Sequence, residues 1–224
     1  MATKVERVGV REGYDAWSSQ YDAMPNPLVA LDRRHTLELL RPARGERILD
    51  AGCGTGANLA ALGQAGALPV GIDFSRGMLE VARRRLGPVP LAQADLTQTL
   101  PVRGAAFAAV LCALVGEHLE TPAGFFAEAY RALAPGGRLV FSVFHPEIAA
   151  AGAEANFESA GVEYRLGAHR TSRADYLTAL EDAGFDQVTA SDFCVDDAIA
   201  AEIPAARKYV GKPLLLAACA WRAA

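Results

Sequence analysis

Apolar positions change their period repeatedly along this chain. In "VREGYDAWSSQYDA" and "PLVALDRRHTLELLRP" the hydrophobic residues recur three and four apart, which predicts helices over roughly 10–23 and 27–41. Prolines at 27 and 42 bracket the second. "RILDAG" is a short apolar run suited to a buried strand, and "GANLAALGQAG" a helix that Gly66 stops. "LPVGIDF" predicts a second strand. "SRGMLEVARRRLG" predicts a helix with Ser75 as N-cap, Met78, Leu79 and Ala82 on one face, and Gly87 at its close.

The rhythm continues with "VPLAQAD" and "FAAVLCALV" as third and fourth strands. "TPAGFFAEAYRALAPGG" reads as a helix with Thr121 as N-cap and a Pro-Gly-Gly stop. A fifth strand "RLVFSVF", a helix from Ser172, and two closing strands, "FDQVTASDF" and "KPLLLAACAW", complete the chain. Alternating strands and helices imply an α/β, Rossmann-like fold: a doubly wound, mostly parallel sheet with helices on both faces. One interval breaks the pattern. Residues 145–171 lack a clear periodic element and exceed the ~12–15 residues of ordinary structureless loops. Such a segment is expected to be a substrate lid.

Composition narrows the class. A length of 224 residues suits one domain, 1–224, and 51% hydrophobic with 21% charged residues is globular. The net charge of −4 and the lack of a polybasic block argue against a nucleic-acid partner. Cys53, Cys112, Cys194 and Cys219 are far apart, so no zinc or redox motif is present and no metal is expected. The charged N-terminus and the absence of an 18-residue apolar run predict a cytoplasmic protein without a membrane partner, as monomer or homodimer.

The candidate chemistry centres on "ILDAGCGTGAN". Gly52, Gly54 and Gly56 follow a strand and open a helix, whose free N–H groups suit an anionic group. Gly52, Gly54 and Ala57 also satisfy a dinucleotide fingerprint, with Asp73 near the position of its ribose-binding acid. Two other acids point elsewhere. Asp50 precedes the turn, where a carboxylate repels a pyrophosphate but suits an ammonium. Asp95 ends the third strand, where it can accept from an adenine amino group. An ammonium, a ribose diol and an adenine together describe S-adenosylmethionine.

With "LDAGCGTG", "GIDFS", "AQADLTQTLP" and "RALAPGGRLVFSVF" in this order, residues 10–190 resemble the class I S-adenosylmethionine-dependent methyltransferases, particularly small-molecule enzymes like those of quinone biosynthesis. The resemblance implies a seven-stranded sheet with one antiparallel strand near its edge, and the ligand along the C-terminal strand ends. It implies S-adenosyl-L-methionine as cofactor and S-adenosyl-L-homocysteine as product. Asp50, Gly52, Gly54 and Gly56 would meet the methionine end, and Asp73 the ribose. Phe74 and Met78 would flank the adenine, Asp95 and the Leu96 backbone would read it, and Ala113 would lie near the methionyl chain. The aromatic "YDAWSSQYD" would close over the cofactor as part of a helical lid, 1–41, with Tyr21 on the cofactor and Tyr14 and Trp17 toward substrate.

His145 and His169 are the candidate general bases, and with Tyr164 the candidate substrate contacts, since all three fall in the 145–171 interval. His35, His118 and Cys53 read as packing residues. The expected function is methyl transfer to an O, C or N atom of a small-molecule acceptor. The alternative keeps the cofactor in a non-methylating cyclase, isomerase or sensor. A nicotinamide oxidoreductase is disfavoured by Asp50 and Asp95. Methylation of nucleic acid or protein is disfavoured by the acidic charge and by "CALVGEH" where an N-P-P-[YF] signature would stand.

Overall fold

In the computed structural model, which describes residues 4–224, the elements run in this order: β1 (Lys4–Arg7), α1 (Val10–Trp17), α2 (Pro27–Leu40), β2 (Arg47–Ala51), α3 (Ala57–Gln64), β3 (Leu68–Asp73), α4 (Arg76–Leu86), β4 (Leu91–Gln93), β5 (Phe107–Ala113), α5 (Pro122–Ala132), β6 (Leu133–Phe144), α6 (Pro146–Ala150), β7 (Asn156–Ser159), β8 (Val162–Arg165), α7 (Arg173–Asp182), β9 (Asp186–Cys194), α8 (Asp197–Glu202) and β10 (Pro213–Trp221). Three-residue 3-10 turns follow α1 at Tyr21–Ala23 and β5 at Gly116–His118, and a longer one, Pro204–Tyr209, precedes β10.

Seven strands form one sheet in the order β4-β3-β2-β5-β6-β10-β9. β10 is antiparallel to both of its neighbours, and the pairs from β4 through β6 are parallel. Successive residues of the central strands face opposite ways, so each strand serves two cores. Leu49, Val110 and Phe141 pack with Phe126 of α5 and Leu180 of α7. Ile48, Leu111 and Val140 pack with Leu40 of α2 and Leu62 of α3. The two-faced burial explains why these strands read as unbroken apolar runs.

The chain leaves β2 toward β3 and β4 on one side, then returns to β5 and β6 on the other. The C-terminal ends of β2 and β5 therefore open a crevice where the winding reverses, the place where ligands bind in such sheets.

Local chemistry agrees with most predicted boundaries. Asn26 caps α2 by accepting from the Leu28 and Val29 N–H groups, Ser75 caps α4, and Ser172 with Asp175 forms a capping box on α7. Three expectations need correction. The helix expected over 10–23 ends at Trp17, and Tyr21–Ala23 is a separate 3-10 turn. Thr121 stands at the N-cap of α5 but makes no side-chain cap bond, and β6 begins at Leu133, two residues before the Pro-Gly-Gly expected to stop the helix, which lies within the strand instead. The 145–171 interval is partly ordered as α6, β7 and β8. β7 and β8 form an antiparallel pair, and β8 pairs in parallel with β1, giving a small separate sheet. No helix among the described residues is long and apolar enough to cross a membrane.

Candidate active site

The turn after β2 hangs from the end of β3: the Gly52 and Cys53 N–H groups donate to the Ile72 carbonyl at 2.8 and 3.0 Å. Gly52 has φ +83°, and a Cβ there would overlap the Val115 side chain, so only glycine fits. Gly56 has φ +81° and serves a different purpose. A Cβ there would lie 2.7 Å from Leu86 Cδ1 and 3.1 Å from Ala82 Cβ, so its bareness lets α3 approach α4.

Three acids stand at the strand ends in three different states. Asp73 is buried and accepts from the Gly54 and Ser75 N–H groups, both at 2.8 Å. Burial pushes its pKa up to about 6, with those backbone donors holding it down in part. Asp50 is 1% exposed, and neither carboxylate oxygen has a hydrogen-bond partner. Burial, with Asp73 and Asp32 nearby, pushes its pKa up to about 8. A buried carboxylate without a donor is costly unless a cation or donor arrives to satisfy it. Asp95 is exposed, and its Oδ1 accepts from the Thr97 N–H and hydroxyl at 2.9 and 2.8 Å.

These strand ends floor a cavity of about 270 Å3. Of the predicted cofactor residues, Gly52, Gly54, Asp73, Phe74, Met78, Asp95, Leu96, Ala113 and Tyr21 line it. Asp50 and Gly56 do not, although Asp50 lies two residues before the wall residue Gly52. The N-terminal segment forms the opposite wall with Val10, Tyr14 and Tyr21. Two carboxylates fasten it down. Asp15 accepts from the Ser75 hydroxyl at 2.6 Å and the Gly77 N–H at 2.8 Å, at the start of α4. Asp22 accepts from the Thr55 hydroxyl at 3.0 Å and pairs with Arg85 at 2.5 Å.

A second cavity of about 500 Å3 adjoins the first; Tyr14, Tyr21, Val29 and Leu114 belong to both walls. Its outer side comes from the β7–β8 region, with Glu154, Asn156, Glu163 and Arg165, and from Lys208 and Tyr209 near β10. Trp17 also lines it, stacked between Tyr14 at 5.9 Å and Phe157 at 5.2 Å between ring centroids.

Sequence reasoning missed the histidine that reaches the site. His118 lines the first cavity, and its Nε2 lies 2.9 Å from the Tyr14 hydroxyl. Burial pushes its pKa down to about 4, so the ring is neutral and Tyr14 can donate to it. It missed Glu117 as well, which is buried in the wall of the second cavity. The only available signal was their place just past the fourth strand, where a sheet of this type binds ligands.

The two histidines singled out instead lie elsewhere. His145 is buried, caps α6 by accepting from the Glu147 N–H at 3.3 Å, and faces Asp192 of β9 at 3.4 Å. It lines neither cavity, and the contacts it makes are with the start of α6 and with β9. His169 is exposed and also lies outside both walls; its N–H donates to the Glu117 carbonyl at 2.7 Å. Tyr164 stacks on Phe157 at 5.0 Å and supports the wall from behind rather than lining it. Cys53 packs with Leu59 and Leu79, as expected of it. Among the described residues, no cluster of His, Cys, Asp or Glu is arranged to hold a metal ion.

Residues 49–141 match the family described as "Methyltransferase domain". The chain is 40% identical over 139 residues to a demethylmenaquinone methyltransferase of Clavibacter sepedonicus, covering 58% of this chain and 56% of the relative. It thus spans about half the length of the demethylmenaquinone methyltransferases it matches. A longer match, 32% identical over 226 aligned positions, covers 83% of this chain and 78% of an uncharacterized methyltransferase of Emericella nidulans. Among solved structures, an S-adenosylmethionine-dependent methyltransferase of Mesorhizobium loti superposes with a TM-score of 0.74 at 25% identity, over 88% of this chain and all of that one.

Proposed function

The chain belongs to the S-adenosylmethionine-dependent methyltransferases, and we propose that it transfers a methyl group from S-adenosylmethionine to a small-molecule acceptor. The observation that carries this reading is the buried, doubly unpartnered Asp50 behind the glycine turn, with Asp73 and Asp95 at the next two strand ends. The residues fit the cofactor's three polar parts. Asp50 supplies the counter-charge for an ammonium, Asp73 retains acceptor capacity for ribose hydroxyls, and Asp95, with Phe74 and Met78 in the same lining, is available to an adenine amino group.

The bound cofactor supplies an electrophilic methyl group on a sulfonium. The protein supplies alignment and exclusion of water. Tyr14, Tyr21 and the N-terminal segment act as a lid over 1–41, fastened through Asp15 and Asp22. The acceptor occupies the second cavity, and residues 145–171 act as its lid. The Clavibacter relative and its kin are demethylmenaquinone methyltransferases, which supports an acceptor of the quinone and hydroquinone class for this chain too, the reduced form bearing hydroxyl groups. We also propose a cytoplasmic enzyme, acting as monomer or homodimer without nucleic acid.

Asp73→Ala tests the cofactor assignment. Loss of hydrogen bonds to a charged group should weaken S-adenosylhomocysteine binding by about 1.5–3 kcal/mol, read by isothermal titration. An affinity equal to that of the unaltered protein removes Asp73 from the site.

A further inference from the structure

Among the described residues, one carboxylate of the second cavity has no ion-pair partner. Glu154 pairs with Arg7 and Arg165, and Glu163 with Arg165. Glu117, in the same wall, is 6% exposed and its Oε2 has no hydrogen-bond partner. It sits on the 3-10 turn after β5, where the backbone is pressed against β6. A Cβ at the preceding Gly116 would overlap the Phe141 ring, so the turn lies in direct contact with β6 and cannot move closer to it. An unsatisfied buried carboxylate in a cavity wall requires a donor from whatever enters that cavity.

On the reading that this cavity takes the acceptor, we propose that Glu117 is the base that receives the proton of an acceptor hydroxyl group. The acceptor oxygen forms its bond to the methyl carbon as the carbon–sulfur bond breaks, and that electron pair stays on sulfur. The hydroxyl proton passes to Glu117, which later releases it to solvent. A neutral hydroxyl suits this cavity better than an ammonium, because Lys208, held 4.9 Å from the Tyr209 ring centroid, lines the same space and repels a second cation.

Burial pushes Glu117 up to about 7, with the Glu117 and Phe144 N–H groups partly opposing and Asp32 adding to the rise. A base poised near neutral pH is what proton abstraction requires. The titratable groups within electrostatic reach of it are Asp32 on α2, Tyr14 and Tyr21 on the N-terminal segment, Cys112 on β5 and Tyr176 on α7. The tyrosine and cysteine pKa values are all raised, so these groups stay neutral around pH 7 and do not compete as bases. His118 is bonded to Tyr14 and far less basic.

Phenol and anisole, which share a ring but differ in the O–H, are the probes. Each is titrated into the full-length protein saturated with S-adenosylhomocysteine between pH 5.5 and 8.5. The unaltered protein should bind phenol at least tenfold tighter than anisole at pH 8, with the preference shrinking several-fold below pH 6 as Glu117 gains its proton. Glu117→Met should bind the two equally, at the unaltered affinity for anisole. Glu117→Gln, which retains the shape and an acceptor oxygen but does not titrate, should retain part of the preference and lose its pH dependence. A preference for phenol that survives in Glu117→Met, that ignores pH in the unaltered protein, or that is absent there overturns the assignment. Failure of the unaltered protein to bind S-adenosylhomocysteine would instead overturn the cofactor reading beneath it.

Discussion

Asp50 is a residue that folding alone gives no reason to bury. Its proton is held more tightly in the folded state than in the unfolded one, where the usual value is 3.8. Its contribution to ligand-free stability is therefore full below about pH 4 and is lost as pH rises toward 8, at up to about 1.4 kcal/mol per unit. Asp73, raised to about 6, and Glu117, raised to about 7, contribute in the same direction. Asp50→Asn should melt higher than the unaltered protein at pH 8, and the gap should close near pH 4 in thermal scans. The same variant should bind S-adenosylhomocysteine at least tenfold more weakly, because the ammonium loses its counter-charge. A lower melting temperature at pH 8 would show that Asp50 is satisfied in the free protein. His145 has the opposite profile: His145→Ala should cost about 1 kcal/mol through loss of the α6 cap and leave S-adenosylhomocysteine affinity unchanged. Asp50 and Asp73 were legible in the sequence because a strand, a glycine turn and an acid have fixed spacing. Glu117 and His118 were not, because burial and a missing partner are properties of the assembled wall.

At the level of elements, what the sequence shows well is whatever repeats. Strands β2, β5 and β10 and the C-terminal halves of β3 and β6 are largely buried on both faces, and helices such as α4 have an apolar stripe and a side-chain cap. Their patterns extend over enough residues to be read. β1, β7 and β8 have four residues each, too few for alternation to register, and β1 pairs with β8 across most of the chain. α8 and the turn at Pro204–Tyr209 were equally hidden, since they pack in a satellite cluster around Leu31, Ile199 and Leu214. The small sheet joins the N-terminal segment to the 145–171 segment, so the two should respond together. Deleting residues 1–7 should raise amide hydrogen exchange across Val162–Arg165 and leave β2 and β5 protected. Unchanged exchange in β8 would mean that β1 does not hold it in place.

At the scale of the whole molecule, the reversal of winding between β2 and β5 explains why the chemistry converges. Residues from the ends of β2, β3 and β5 and from the loop after β4 meet at one crevice because β2 and β5 are neighbours from which the chain winds in opposite directions. The N-terminal segment lines that crevice, and the second cavity adjoins it across Tyr14, Tyr21, Val29 and Leu114. The fold alone would serve a nicotinamide dinucleotide as readily, which is why the acids and not the glycines decide the cofactor. The most direct measurement is a calorimetric titration of the unaltered protein with S-adenosylhomocysteine and, separately, with NAD. Saturable one-to-one binding of S-adenosylhomocysteine with no heat from NAD is the predicted result; binding of NAD with none of S-adenosylhomocysteine would contradict the account.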